Sequence, residues 1–292
     1  MKIAIIDLGS NSAIMTIWDC TDNKREVISN NRIYVRLSEG LSEDNLLKAE
    51  PMKRALCALS TFSEIIKKEN CGHVIAVATE ALRRAKNKDD FLLRAKDLGF
   101  SIEILSGDDE AKYDFFAAKD LIGENSAFLM DVGGGSLELI RVDKGNLIGH
   151  VCLPFGAVVM SDKFGNDKKA LENFFNETFS SLPLLENADN HFLVGLGGSI
   201  RSLFSYSSGI NDGNELSSNS FLKIYESITT TDSESLKKIS AFNDRYDIIN
   251  AGLAPFYSLL TLKNAEKIVI CNKGVREGIL TECLEQMSLK EI

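Results

Sequence analysis

Two aspartates, each ending an apolar run and each followed by a glycine turn, are the residues of this sequence best suited to chemistry. Asp7 ends KIAIID and leads into Leu8-Gly9-Ser10-Asn11-Ser12; Asp131 ends SAFLMD and leads into Val132-Gly133-Gly134-Gly135-Ser136. Glycine adopts φ > 0 at little cost, so successive backbone N–H groups at Gly9, Gly133, Gly134 and Gly135 can converge on an anion. Ser10, Ser12 and Ser136 add hydroxyl donors, and Asn11 adds an amide. A carboxylate beside such a turn suits Mg²⁺, which takes oxygen ligands and keeps several waters. The pattern points to a phosphate group and its divalent cation.

Two better-known phosphate motifs are excluded. The Walker loop needs G-x-x-x-x-G-K-[ST] entering a helix, and the dinucleotide fingerprint also opens a helix. Here each turn runs into a second strand-like segment, Ala13 to Trp18 and Leu137 to Val142. Each copy is therefore expected to be a β-hairpin with a phosphate-binding tip. A single Asp-X-Gly turn is ordinarily only a hairpin turn. Two matched copies are expected to form two half-sites facing each other across a cleft.

The elements that must hold these tips follow from apolar patterning. Runs rich in Ile, Leu, Phe and Met and bounded by Gly or Ser read as buried strands. His73 to Thr79, Ser101 to Leu105 and Lys267 to Asn272 read as further strands, His191 to Phe204 reads as strand, glycine turn and helix, and EVISNNRIYVRL contains one more strand. Helical spacing marks a long helix after Pro51, a turn at Glu80 to Ala85, and helices over Asp108 to Leu121, Lys168 to Phe179 and the C-terminal segment. Asn87 is expected to cap a helix that Gly99 ends. FNDRYDIINAGLAPFYSLLTLK reads as one long helix with Arg245 near its start. Cys20 to Lys24 reads as a turn and Ser207 to Ser220 as a surface loop. Gly195, Gly197, Gly198 and Ser199 form a third glycine loop, weaker as a signal. Leu171, Phe174, Phe175 and Phe179 share a helix face and read as core.

The 292 residues suffice for two domains. A net charge of −9 argues against nonspecific nucleic-acid binding, which needs clustered Lys and Arg. A polyanionic substrate then requires a locally basic site, for which Arg32, Arg36, Arg83, Arg84 and Arg201 are candidates. The six scattered cysteines lack C-x-x-C spacing and read as reduced thiols of a cytoplasmic protein. The three histidines show no metal-ligand spacing. No signal peptide and no membrane span are expected.

The segments IIDLGSNS, ATEALRRA, ILSGDDEA, DVGGGSLELI, GLGGS, DRYDIINAG and GVREGIL, in that order, resemble the exopolyphosphatase/guanosine pentaphosphate phosphohydrolase family over nearly the whole chain. The resemblance implies an α/β, two-domain, actin-like (ribonuclease H-like) fold of the sugar-kinase/Hsp70/actin superfamily. The expected domains are 1–124 and 125–292, with the final helix packing back on the first. It assigns Gly9, Ser10, Asn11, Ser12, Arg83, Gly133, Gly134, Gly135 and Ser136 to phosphate, and Asp7, Asp131 and Glu138 to the metal. Glu110, the acid before Ala in SGDDEA, is assigned to water activation. Arg276, Glu277 and Gly278 match a C-terminal motif expected to be mainly structural. Two departures stand out: Ile14 replaces a frequent Arg or His, and Asp109 replaces the usual Glu beside the base. The chain ends at Ile292 and is expected to lack the additional helical domains of longer relatives.

The resemblance implies a Mg²⁺-dependent exopolyphosphatase acting on the terminal phosphoanhydride of inorganic polyphosphate, with guanosine pentaphosphate as the alternative substrate. A second copy of the chain is a further candidate partner; nucleic acid and membrane are not expected. A kinase of the same fold would pass phosphate to an acceptor other than water, against the Glu110 segment. A non-catalytic alarmone sensor would have no use for the retained Asp7, Asp131 and Glu110.

Overall fold

The computed structural model describes residues 1–21, 25–188, 191–207 and 214–290. The chain divides into two compact units, Met1–Glu110 with Val275–Ile292, and Ala111–Gly274.

In the first unit, β1 (Lys2–Leu8) and β2 (Ser12–Asp19) form the expected hairpin, and β3 (Glu26–Tyr34) adds antiparallel to β2. A short α1 (Leu41–Asp44) precedes α2 (Ala49–Glu69), whose buried Met52, Ala55, Leu56, Leu59 and Phe62 recur at helical spacing and pack toward β1 and β2. Asn70, in the left-handed region, stops α2 by donating its N–H to Ile66 and Lys67 carbonyls. Next come β4 (His73–Ala78), α3 (Glu80–Arg84), α4 (Lys88–Asp97) and β5 (Ile102–Ile104); α5 (Gly107–Ile122) starts in this unit and from Ala111 on belongs to the second. The sheet order is β3-β2-β1-β4-β5, with β1, β4 and β5 parallel.

The second unit repeats this plan. β6 (Ala127–Val132) and β7 (Leu137–Asp143) form the second hairpin, and β8 (Asn146–Leu153) continues it antiparallel. Helices α6 (Ala157–Phe164) and α7 (Lys168–Ser180) follow, then β9 (Phe192–Gly197), α8 (Gly198–Ser207), β10 (Glu215–Ser217), α9 (Ser218–Thr229), α10 (Ser233–Lys238), α11 (Ile249–Lys263) and β11 (Lys267–Ile270). Read from β8, the order is β8-β7-β6-β9-β11, with β10 added antiparallel at the edge. Apart from β10 this is the first sheet again: a three-stranded meander followed by two parallel strands. Two such units make the α/β, actin-like fold. Helix α12 (Val275–Lys290) belongs to the first unit and lies against β1.

Three sequence expectations are corrected. Arg245 precedes α11 rather than opening it, because residues 241–248 form successive turns. The stretch expected as a loop over Ser207 to Ser220 contains β10 and the start of α9, and its residues 208–213 lie outside the described residues, as do 22–24 of the turn at Cys20 to Lys24. Asn87 holds the N-cap position of α4 but makes no cap bond; its amide accepts from Leu47 N and donates to Leu47 O. The aromatic stripe of α7 is core as expected: Leu171, Phe175 and Phe179 are buried, and Phe174 packs edge-on to Phe155 and Phe175. Among the described residues no helix is long and apolar enough to cross a membrane.

Candidate active site

Both glycine turns close the same way. Gly9 N–H donates to Ser12 O at 3.0 Å, and Gly133 N–H donates to Ser136 O at 3.0 Å. Ladder pairs Leu8–Ala13 and Val132–Leu137 flank the two tips at matching positions. Following segments then take up the tip carbonyls. Asn11 O accepts from Val35 and Arg36 N–H, and Ser10 O from Ser38 N–H; Gly133, Gly134 and Gly135 carbonyls accept from Ala157, Val158 and Gly156 N–H. With the carbonyls engaged, the N–H groups of Ser10, Asn11, Gly134 and Gly135 donate to no backbone carbonyl among the described residues. An array of N–H groups braced from behind can receive an anion.

Two buried polar atoms of the first tip support this. Ser10 Oγ and Asn11 Oδ1 have no hydrogen-bond partner among the described residues, although Ser10 is 3% and Asn11 9% exposed. Buried polar groups are normally paired, so such atoms mark a place for water or ligand. The expected left-handed glycines are not the device used: none of Gly9, Gly133, Gly134 and Gly135 has a positive φ. Glycine acts instead through close approach. A Cβ on Gly156 would lie 2.5 Å from Gly134 C and Gly135 N, so only glycine lets the start of α6 reach the second tip.

The rest of the first unit's candidate site gathers at the carboxyl ends of its parallel strands, where α/β proteins bind ligands. Asp7 is half-buried near the end of β1, next to Val77 on β4, which is next to Glu103 on β5. After β5, Ser106 and Asp109 form a reciprocal capping box on α5: Ser106 N–H and Oγ donate to Asp109 Oδ2 at 3.0 and 2.6 Å, and Asp109 N–H donates to Ser106 Oγ at 3.1 Å. Asp109 is thereby committed to the helix start. Glu110, 5% exposed, is held elsewhere.

Its holder is Arg83, on α3 after β4. Arg83 Nη1 donates to Glu110 Oε1 at 2.5 Å and to Leu105 O at 2.7 Å, while Nε and Nη2 donate to Glu80 Oε2 at 3.0 and 2.6 Å. The sequence expectation put Arg83 on phosphate; the structure places its guanidinium between two buried carboxylates. Burial works against the positive charge, but Glu110 and then Glu80 outweigh it and hold the pKa above the usual arginine value. Arg84 adds a longer pairing to Glu80, 3.8 Å from Nε to Oε1, and donates to Asn45 Oδ1.

In the second unit, Asp131 is half-buried opposite Glu138, which is 2% exposed, and next to Leu196 on β9. β9 ends in the third glycine loop. Gly197 has φ +95°, and a Cβ there would stand 2.5 Å from Val132 O and 2.8 Å from Asp131 Oδ1. That loop thus presses directly on the Asp131 carboxylate. The Arg245 guanidinium, from the turns before α11, covers Gly198 closely enough that a Cβ would meet Nη1 at 2.3 Å.

Among the described residues no group of three or more His, Cys, Asp and Glu is arranged to hold a metal ion. Mg²⁺ does not need such a cage, because it is commonly held by one or two carboxylates plus water and substrate phosphates. The hard oxygen donors of Asp131 and Glu138, paired across one ladder, fit that requirement, and Asp7 is the matching carboxylate of the first hairpin.

A family model described as the Ppx/GppA phosphatase family matches residues 16–287. The chain belongs to the Ppx/GppA phosphatase family. A guanosine-5'-triphosphate,3'-diphosphate pyrophosphatase of Vibrio vulnificus (strain YJ016) is 26% identical over 300 residues, covering 99% of this chain and 60% of that relative. The chain thus spans about three-fifths of the length of that curated Ppx/GppA relative. Among solved structures, the Aquifex aeolicus Ppx/GppA family member is 26% identical with a TM-score of 0.80, covering 98% of both chains. An exopolyphosphatase from Cytophaga hutchinsonii has a TM-score of 0.90 at 22% identity, covering 98% of both chains, and shows the shared fold. The matched Ppx/GppA region begins past the first glycine turn, so the likeness of that turn to the second rests on their common geometry.

Three residues now near the site were not assigned to it from the sequence. Glu80 precedes Arg83 and Arg84 by three and four residues, a spacing that usually marks exposed helix pairs. Arg245 was legible only as part of DRYDIINAG. Cys152 reaches Glu138 across the ladder, which no sequence spacing reveals.

Proposed function

We propose that this chain hydrolyses terminal phosphoanhydride bonds, with inorganic polyphosphate as its substrate. One observation carries the reading: two identically closed tips with braced N–H groups occur in a chain whose buried Glu110 is clamped by Arg83 at the ends of the parallel strands. The N–H groups of each tip, with Ser10, Asn11 and Ser12 at the first and Ser136 at the second, are the donors for phosphate oxygens. Glu110 orients the attacking water and accepts its proton. Fixed donors and a fixed water suit phosphoryl transfer, where positioning and electrostatics supply most of the catalysis. Arg83 keeps Glu110 in one orientation. Asp131 and Glu138, with Asp7 as the matching carboxylate of the first hairpin, would hold Mg²⁺, which would supply positive charge to the phosphate.

Polyphosphate is favoured by the first sheet. Arg32 on β3 is opposite Ile14, which is opposite Asp7, and Arg32 is exposed. Directly opposed residues point to one face, so an arginine stands in the row of Asp7 and can pair with a further phosphate. The name of the Vibrio vulnificus relative favours a second reading, guanosine pentaphosphate as substrate of the same residues. Because no disulfide joins cysteines among the described residues, a reducing, cytoplasmic setting is proposed.

Phosphate release from long-chain polyphosphate, guanosine pentaphosphate and ATP, each with and without Mg²⁺, tests the reading. Release from polyphosphate that requires Mg²⁺ is expected. Release confined to guanosine pentaphosphate supports the second substrate, and release from none of the three refutes hydrolysis. Asp7→Asn and Asp131→Asn are each expected to raise the Mg²⁺ concentration for half-maximal release by about tenfold or more. An unchanged Mg²⁺ titration would make these carboxylates turn-formers only.

A further inference from the structure

Three strands of the second unit each bring one side chain into a single row. Asp131 on β6 is opposite Glu138 on β7, and Glu138 is opposite Cys152 on β8. Opposed residues share a face and stand roughly 4.8 Å apart from strand to strand. Cys152 Sγ donates to Glu138 Oε1 at 3.1 Å. With Glu138 only 2% exposed, bulk water has little hold on its carboxylate, and protein donors set its orientation. The same row in the first unit reads Asp7, Ile14, Arg32, with a buried apolar side chain in the middle. Of these two rows, that of the second unit alone pairs a carboxylate with a thiol.

We infer that Cys152 is a positioning residue, whose thiol fixes the direction in which the Glu138 carboxylate faces Asp131 and the divalent cation. This rests on the reading above that Asp131 and Glu138 hold that cation. Partners that orient a metal ligand typically change metal affinity by about 10–100-fold when removed. The thiol is a weak donor, so the lower end applies. Serine keeps a donor at nearly the same place, and alanine removes it.

The test is Mn²⁺ binding to the full chain without substrate, followed by electron paramagnetic resonance, with thermal midpoints measured in parallel. Wild type, Cys152→Ser, Cys152→Ala and Glu138→Gln are compared. Cys152→Ala is expected to weaken Mn²⁺ binding by about tenfold, and Cys152→Ser to stay within about threefold of wild type. A purely packing role of the sulfur would instead affect both variants alike, in thermal midpoint and in Mn²⁺ binding. Equal weakening in both variants, or undiminished binding by Cys152→Ala, would overturn the inference. Undiminished binding by Cys152→Ala together with weakened binding by Glu138→Gln removes only the role of Cys152. A wild-type chain that releases phosphate yet binds no Mn²⁺ removes the cation reading, and the inference with it.

Discussion

Glu110→Gln is expected to lower phosphate release by about 10²–10⁴-fold, the usual contribution of a positioned general base. The amide matches the carboxylate in size but cannot accept the proton of the attacking water. It also replaces one charged acceptor of Arg83 with a neutral one, so the bond at 2.5 Å weakens without leaving a void. Substrate binding should persist, because the N–H groups of the two tips are untouched. The loss is therefore expected in kcat with KM little changed, the mark of an interaction made in the transition state. Asp109→Asn, three residues into the capping box with Ser106, provides the contrast: it alters the start of α5 and leaves the clamped acid in place. Release by Glu110→Gln at the wild-type rate would remove this residue from the mechanism.

Arg83→Ala is the second large effect, and it falls on stability as well as turnover. Glu80 is 6% and Glu110 5% exposed, and Arg83 donates to both. Removing one partner of a buried ion pair leaves an uncompensated charge and costs about 3–5 kcal/mol. The Arg83 side chain is itself 24% exposed, and Arg84 remains 3.8 Å from Glu80, so about 2–4 kcal/mol is expected, read from urea unfolding. Arg83→Lys should recover only part of this, since one ammonium cannot reproduce the fork that spans two carboxylates and the Leu105 carbonyl. Activity should fall in both variants, because Glu110 loses the donor that orients it. An Arg83→Ala chain as stable as wild type would show that the clamp does not hold the folded state.

Much of this architecture is legible in the sequence because its strongest local signals agree with its tertiary structure. The runs at Lys2–Leu8 and Ala127–Val132 are apolar on both faces, are punctuated by glycine, and become central strands. What was misread lies where local and tertiary preferences diverge. Arg245 falls inside a segment of helical spacing, but it is 7% exposed, and burying its guanidinium over Gly198 goes with turns rather than an early start to α11. The three residues of β10 are too few to show alternation and sit among Ser, Asn and Gly. Asn87 looks like a cap because its type and place are right, yet the Leu47 backbone takes its amide. Arg83 was expected on phosphate; its pairing with Glu80 and Glu110 was not legible, because the burial of both carboxylates appears only in the fold.

The central claim is that water attacks the terminal phosphoryl group, and the fate of label from water containing heavy oxygen tests it most directly. Polyphosphate would be incubated with the wild-type chain and Mg²⁺, and the products resolved by mass spectrometry. One labelled oxygen in each released orthophosphate, with none in the shortened chain, is the predicted result. Label left on the shortened chain, or phosphate transferred to another acceptor with unlabelled orthophosphate, would contradict it.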